Sequence, residues 1–143
     1  MIKITKEFRF EGAHALKGYD GKCCHIHGHS YKMEVTVYGD PINDISSPKN
    51  GMVIDFGDLK RIIHETIIDK FDHSLILKQD APLAEQISKE YGNTIITDFQ
   101  PTSEQLVSYF AKLIIEKLPT NIKLDSIRLW ETATSYAEWT NDK

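Results

Sequence analysis

Two runs of strict alternation flank a cluster of histidines, and together they leave this chain few ways to fold. Ile2, Ile4, Phe8 and Phe10 fall on even positions, while Lys3, Thr5, Glu7 and Arg9 fall on odd ones. That two-residue period is the signature of a strand with one face buried. Continued in register, it puts His14 on the inward face with Phe8 and Phe10. Further on, Tyr31, Met33, Val35 and Val37 alternate with Lys32, Glu34, Thr36 and Tyr38. The inward parity of this second strand is odd, which is also the parity of His27 and His29. Both strands therefore aim histidines at the face that carries the core. Between them lie a loop rich in turn formers, Lys17-Gly18-Tyr19-Asp20-Gly21-Lys22, and the stretch Cys23-Cys24-His25-Ile26-His27-Gly28-His29.

The rest of the chain reads as one domain, residues 1–143, large enough to bury a core of its own. Gly39 to Gly51 holds Pro41, Asn43, Asp44, Pro48 and Asn50 and is turn and loop material. Asp55 is a good helix N-cap, and Leu59, Ile62, Ile63, Ile67 and Phe71 trace the apolar face of the helix it starts. Asp72-His73 follows directly. Pro82 to Tyr91 reads as a short helix stopped by Gly92, and Thr94 to Phe99 as a short strand. Pro101-Thr102-Ser103-Glu104-Gln105 opens a second long helix, with Thr102 and Gln105 at capping-box spacing. Its stripe is Leu106, Val107, Phe110, Leu113, Ile114 and Leu118. Leu124 to Trp130 and Ser135 to Trp139 are two final strands, with Glu131-Thr132-Ala133-Thr134 as the loop between them. The expected order is β-β-α-α-β-β, an α+β chain with an antiparallel sheet and two helices on one face.

Charge and composition exclude several functions. A net charge of −4 argues against nucleic acid as the main partner. No run of about 18 apolar residues exists to cross a membrane as a helix. The N-terminal residues Met1 to Lys6 alternate polar and apolar and lack the apolar core of a signal peptide. Cys23 and Cys24 are adjacent, and bridge geometry makes neighbours poor disulfide partners. The expected compartment is a reducing cytoplasm.

The chemistry concentrates around the cluster. His14, His27 and His29 are candidate ligands for one zinc ion; three imidazoles leave a fourth position open for water or substrate, as catalytic zinc sites do. His25 shares the parity of His27 and His29 and is an alternative third ligand. Cys23 and Cys24 are open to three readings: zinc ligands, small buried residues, or a thiolate stabilised beside the metal. His73 after Asp72 reads equally as a base oriented by a carboxylate or as a solvated helix end. Glu131, on a loop after an apolar strand, reads by itself as a surface carboxylate, and alternatively as one suited to two hydrogen bonds from an amidine-like ring edge. His64, in the middle of the first helix, reads as an ordinary surface histidine.

Several short motifs, in order along nearly the whole chain, carry a resemblance. They are Phe10-Glu11-Gly12-Ala13-His14, the C-x-x-x-H-G-H of Cys23 to His29, Ile54-Asp55-Phe56 with Leu59-Lys60, Asp72-His73, Pro101-Thr102-Ser103-Glu104, and Glu131-Thr132 with Thr134-Ser135-Tyr136. In this arrangement the chain resembles the 6-pyruvoyltetrahydropterin synthase and 6-carboxytetrahydropterin synthase family. The resemblance implies a tunnelling fold (T-fold), in which subunits join their sheets into a barrel, commonly as homohexamers, with active sites between subunits. It implies His14, His27 and His29 as zinc ligands, Cys23 as the catalytic thiol, and Asp72 and His73 as the rest of a proton relay. Glu131 matches the carboxylate that anchors the pterin ring and is also counted in the relay. The short gap between Cys23 and His27 is similar to the bacterial carboxypterin branch of the queuosine (7-deazapurine) pathway. The implied substrate is 7,8-dihydroneopterin triphosphate. Two departures stand out: Gly12 replaces the family's usual alanine, and the segment from Lys78 to Phe99 is longer than in the shortest members, which is expected to reshape the pocket mouth.

Overall fold

The alternating runs form the two longest strands. In a computed structural model that describes residues 1–21 and 25–142, β1 (Ile2–His14) pairs antiparallel with β2 (His27–Gly39) along its full length. Phe8 faces Met33 and Phe10 faces Tyr31 across the ladder, so the buried sets of both strands share one face. The same register sets His14 opposite His27 and Gly12 opposite His29. Gly12 leaves room there for its neighbour: a Cβ on it would lie 3.2 Å from the Tyr31 ring, which stacks on Phe10. The space beside the glycine is taken up by that aromatic ring.

Two further strands extend the sheet beyond β2. β5 (Lys123–Thr132) pairs antiparallel with β2, and β6 (Ser135–Thr140) pairs antiparallel with β5. On the other side of β1 the sheet gains β3 (Ser74–Lys78) and β4 (Thr94–Thr97), both in parallel pairing. The order is β4-β3-β1-β2-β5-β6. The antiparallel half is as the alternation predicts, and the parallel edge makes the sheet mixed. β3 has no counterpart in the sequence reading, since its short apolar run Leu75-Ile76-Leu77 carries no alternation to mark it.

The two long helical segments cover one face. α1 (Phe56–Ile63) starts at Asp55, whose side chain accepts from the Gly57 N–H at 2.7 Å. It runs on through a π-helical turn, His64–Ile68, into the single turn α2 (Asp69–Phe71). A π turn holds one extra residue, so Ile68 joins Leu59, Ile63, Ile67 and Phe71 in the core. α3 (Ala84–Tyr91) is short and ends at Gly92. α4 (Ser103–Lys117) is capped by Thr102, which accepts from the Gln105 N–H at 3.2 Å. Leu106, Val107, Phe110 and Ile114 of α4 meet the α1 stripe and the inner face of the sheet in one cluster. Among the described residues no helix is long and apolar enough to cross a membrane.

Candidate metal centre

The strand register concentrates ligating groups at the ends of β1, β2 and β5. His14 is fully buried, while His27 and His29 are partly exposed. Their ring centroids lie 4.6–5.1 Å apart. Glu131, expected on the loop between the last two strands, lies within β5 instead. Alternation puts it on the face of Ile127 and Leu129, next to a register shift between Trp130 and Thr132 in the pairing with β6. One ligand atom from each of His14, His27, His29 and Glu131 falls within 4.8 Å of all the others.

The protons in this cluster are largely dictated by backbone. His14 Nδ1 lies 2.7 Å from the Pro101 carbonyl oxygen, and His27 Nδ1 lies 2.7 Å from the His25 carbonyl oxygen. A carbonyl only accepts, so both Nδ1 atoms carry the hydrogen and both Nε2 atoms of the neutral rings present lone pairs. Those two Nε2 atoms face each other at 3.0 Å. His29 Nε2 is buried and finds no hydrogen-bond partner among the described residues, although Glu131 Oε1 is 2.9 Å away out of alignment. Burial pushes His14 and His29 below the ordinary imidazole range; the Pro101 carbonyl at His14 and the Glu131 carboxylate at both only partly oppose this. Neutral imidazoles with converging lone pairs, beside a carboxylate, are a donor set that a divalent cation satisfies. Tyr31 packs edge-on against His29, and its buried hydroxyl likewise has no partner among the described residues.

Other predicted site residues fall elsewhere. Asp72 and His73 follow α2 and are held by the backbone of Glu11, on the outward parity of β1. Asp72 Oδ1 accepts the Glu11 N–H at 2.9 Å, and the His73 N–H donates to the Glu11 carbonyl at 2.6 Å. That hydrogen bond from Glu11 is the main reason the Asp72 carboxyl is held below its usual range, and His73, 3.1 Å from Asp72, adds to it. His73 takes a left-handed backbone conformation, φ 61°, and its side chain is 79% exposed. The pair is therefore outside the four-residue cluster. His73 borders a cavity of about 530 Å³, shared with Glu11, Ser30, His29 and, from α3, Ile87 and Tyr91. The Lys78 to Phe99 segment thus supplies a wall of that cavity. Cys23, and Cys24 beside it, lie outside the described residues. His25 turns its carbonyl to His27 and is not among the converging ligands.

Two contributors were not legible in the sequence. The Pro101 carbonyl orients His14, and Ser103 donates to Glu131 Oε2. The Pro101-Thr102-Ser103-Glu104 motif marked a helix start, but nothing in it indicated that the start abuts β5.

Residues 3–142 match the family model described as 6-pyruvoyl tetrahydropterin synthase. A protein of Haemophilus influenzae named 6-carboxy-5,6,7,8-tetrahydropterin synthase is 40% identical over 97% of this chain and 99% of its own length. The protein of that name from Aquifex aeolicus is 32% identical over 96% of both chains. Among solved structures, an uncharacterized protein of Wolinella succinogenes superposes with a TM-score of 0.76 at 26% identity, covering 99% of this chain and 98% of that one. The 6-pyruvoyl tetrahydropterin synthase of Plasmodium falciparum shares the fold, with a TM-score of 0.73 at 20% identity over 98% and 97% of the two chains. With a match over almost every residue and full-length relatives at this identity, the chain belongs to the 6-pyruvoyl tetrahydropterin synthase family, as its motifs led one to expect.

Proposed function

We propose that the protein is a zinc-dependent 6-carboxy-5,6,7,8-tetrahydropterin synthase. It would convert 7,8-dihydroneopterin triphosphate and water into 6-carboxytetrahydropterin, acetaldehyde and triphosphate, in the cytoplasm, on the route to queuosine and other 7-deazapurines. The observation that carries this reading is the full-length similarity to the H. influenzae protein of that name. The donor set at the candidate metal centre supports it, since three imidazole nitrogens and a nearby carboxylate suit zinc.

In this reading His14, His27 and His29 hold the metal. Bound zinc would act as a Lewis acid, lowering the pKa of the substrate's side-chain hydroxyls. Glu131 anchors the amidine-like edge of the pterin ring with paired hydrogen bonds and also belongs to the proton relay. Cys23 and His73 move protons at the side-chain carbons, with Asp72 orienting His73 through the contact to Nδ1. Asp72 and His73 are attached to the outward side of β1, apart from the chain's own cluster. That separation supports active sites shared between subunits of a homohexamer, one subunit supplying the metal ligands and another the Asp72-His73 pair.

The test is to incubate zinc-loaded protein with 7,8-dihydroneopterin triphosphate and measure acetaldehyde. Acetaldehyde formation that Cys23→Ala abolishes while zinc stays bound is the expected result. Pyruvoyltetrahydropterin without acetaldehyde would move the protein to the triphosphate-eliminating branch. If no pterin product forms, and Cys23, His73 and Glu131 can be replaced without loss of function, it is a zinc-stabilised oligomer instead.

A further inference from the structure

From the N-terminus of α4 we infer that Ser103 is a positioning residue for Glu131. The inference rests on the pterin-synthase reading above and adds a residue to it. Serine at the start of a helix ordinarily turns its hydroxyl to the backbone. Here that task is already done by Thr102, whose oxygen accepts the Gln105 N–H. Ser103 is buried, and its hydroxyl reaches across 28 residues of sequence to donate to Glu131 Oε2. A hydroxyl donating to a carboxylate makes a charge-assisted bond, stronger than one between neutral groups.

The bond matters because of what it does to the rest of the carboxylate. A glutamate side chain is flexible and loses rotamer freedom when it is used. With Oε2 tied to α4, Oε1 is turned towards the imidazoles, 2.9 Å from His29 Nε2 and 3.8 Å from His14 Nε2. The positive end of a fifteen-residue helix lies on the Oε2 side. Ser103 and Glu131 also share the wall of an open cleft of about 450 Å³ with Thr132 and Tyr136. Glu131 thus stands between the cleft and the metal cluster, and Ser103 keeps it from swinging wholly to either. A carboxylate set in place before a ligand arrives binds it with less ordering cost.

The experiment compares wild type, Ser103→Ala and Ser103→Thr as zinc-loaded proteins. Neopterin binding is measured by fluorescence, bound zinc by metal analysis, and steady-state turnover is split into kcat and KM. Ser103→Ala should weaken neopterin binding and raise KM about tenfold, leave kcat within about threefold, and keep full zinc occupancy. Ser103→Thr keeps the hydroxyl and should recover most of the wild-type affinity. Three results would overturn the inference: equal neopterin affinity in Ser103→Ala and wild type, Ser103→Thr as weak as Ser103→Ala, or zinc loss from Ser103→Ala with neopterin affinity unchanged. A wild-type protein that binds no neopterin overturns the pterin reading itself, and this inference with it.

Discussion

His14 answers to two constraints at once. Its backbone pairs with His27 in the β1–β2 ladder, and its buried ring is tied through Nδ1 to the Pro101 carbonyl. Together they aim Nε2 into the cluster, while burial, outweighing the pull of the Pro101 carbonyl towards the charged form, keeps the imidazole neutral, as burial does for His29. The pH consequence has a definite sign. An unfolded histidine binds its proton near pH 6.5, roughly, before a folded one with a lowered pKa does. As pH falls through that value the unfolded state gains protons first, and stability drops. Metal-free protein should therefore unfold at a lower urea concentration at about pH 5.5 than at about pH 7.5. An unchanged midpoint would contradict the assignment of buried neutral rings. At this scale strand parity, which is local, was enough to put His14, His27 and His29 on one face, though His25 shared that parity and only the resemblance set it aside. It could not supply the Pro101 carbonyl or the Ser103 hydroxyl, since both come from a segment more than eighty residues beyond His14.

Among the elements, α4 does most to join the core to the site. Its stripe of Leu106, Val107, Phe110 and Ile114 packs on the sheet, and its first residue holds Glu131. Thr102→Ala removes the side-chain cap and should cost about 1 kcal/mol in a urea titration with an unchanged m-value. A loss within error would mean that the Gln105 N–H finds another acceptor. Helix starts were legible because capping residues sit beside the groups they satisfy, as Asp55 and Thr102 do. The π turn was not. A regular stripe leaves out Ile68, and only packing against the sheet decides that the helix takes an extra residue there. One consequence is that His64 meets Asp69, five residues on, at 3.2 Å. β3 escaped for a related reason: its pairing depends on Gly12 meeting Ser74 sixty-two positions away, with no turn chemistry between them to announce it.

For the whole molecule, the division of labour across the sheet has a direct test. The metal cluster belongs to the inner face of β1, and Asp72 with His73 is anchored on Glu11 of the opposite parity. If sites are shared between subunits, Cys23→Ala and His73→Ala proteins, each inactive alone, should regain activity when unfolded together and refolded as a mixture. Sites built from one subunit would leave the mixture inactive. Recovered activity should travel with the larger species on a sizing column.

The sequence by itself determined the strands that carry His14, His27 and His29, the caps of the two long helices and, through its ordered motifs, the family. All of these are encoded by residues a few positions apart, where side-chain period and capping chemistry act directly. Only the tertiary structure decided the parallel β3–β4 edge, the π turn, and the placement of Glu131 among the imidazoles rather than on a loop. Each of those depends on which distant backbone lies alongside, and that is set by the register of the sheet and the packing of the helices on it.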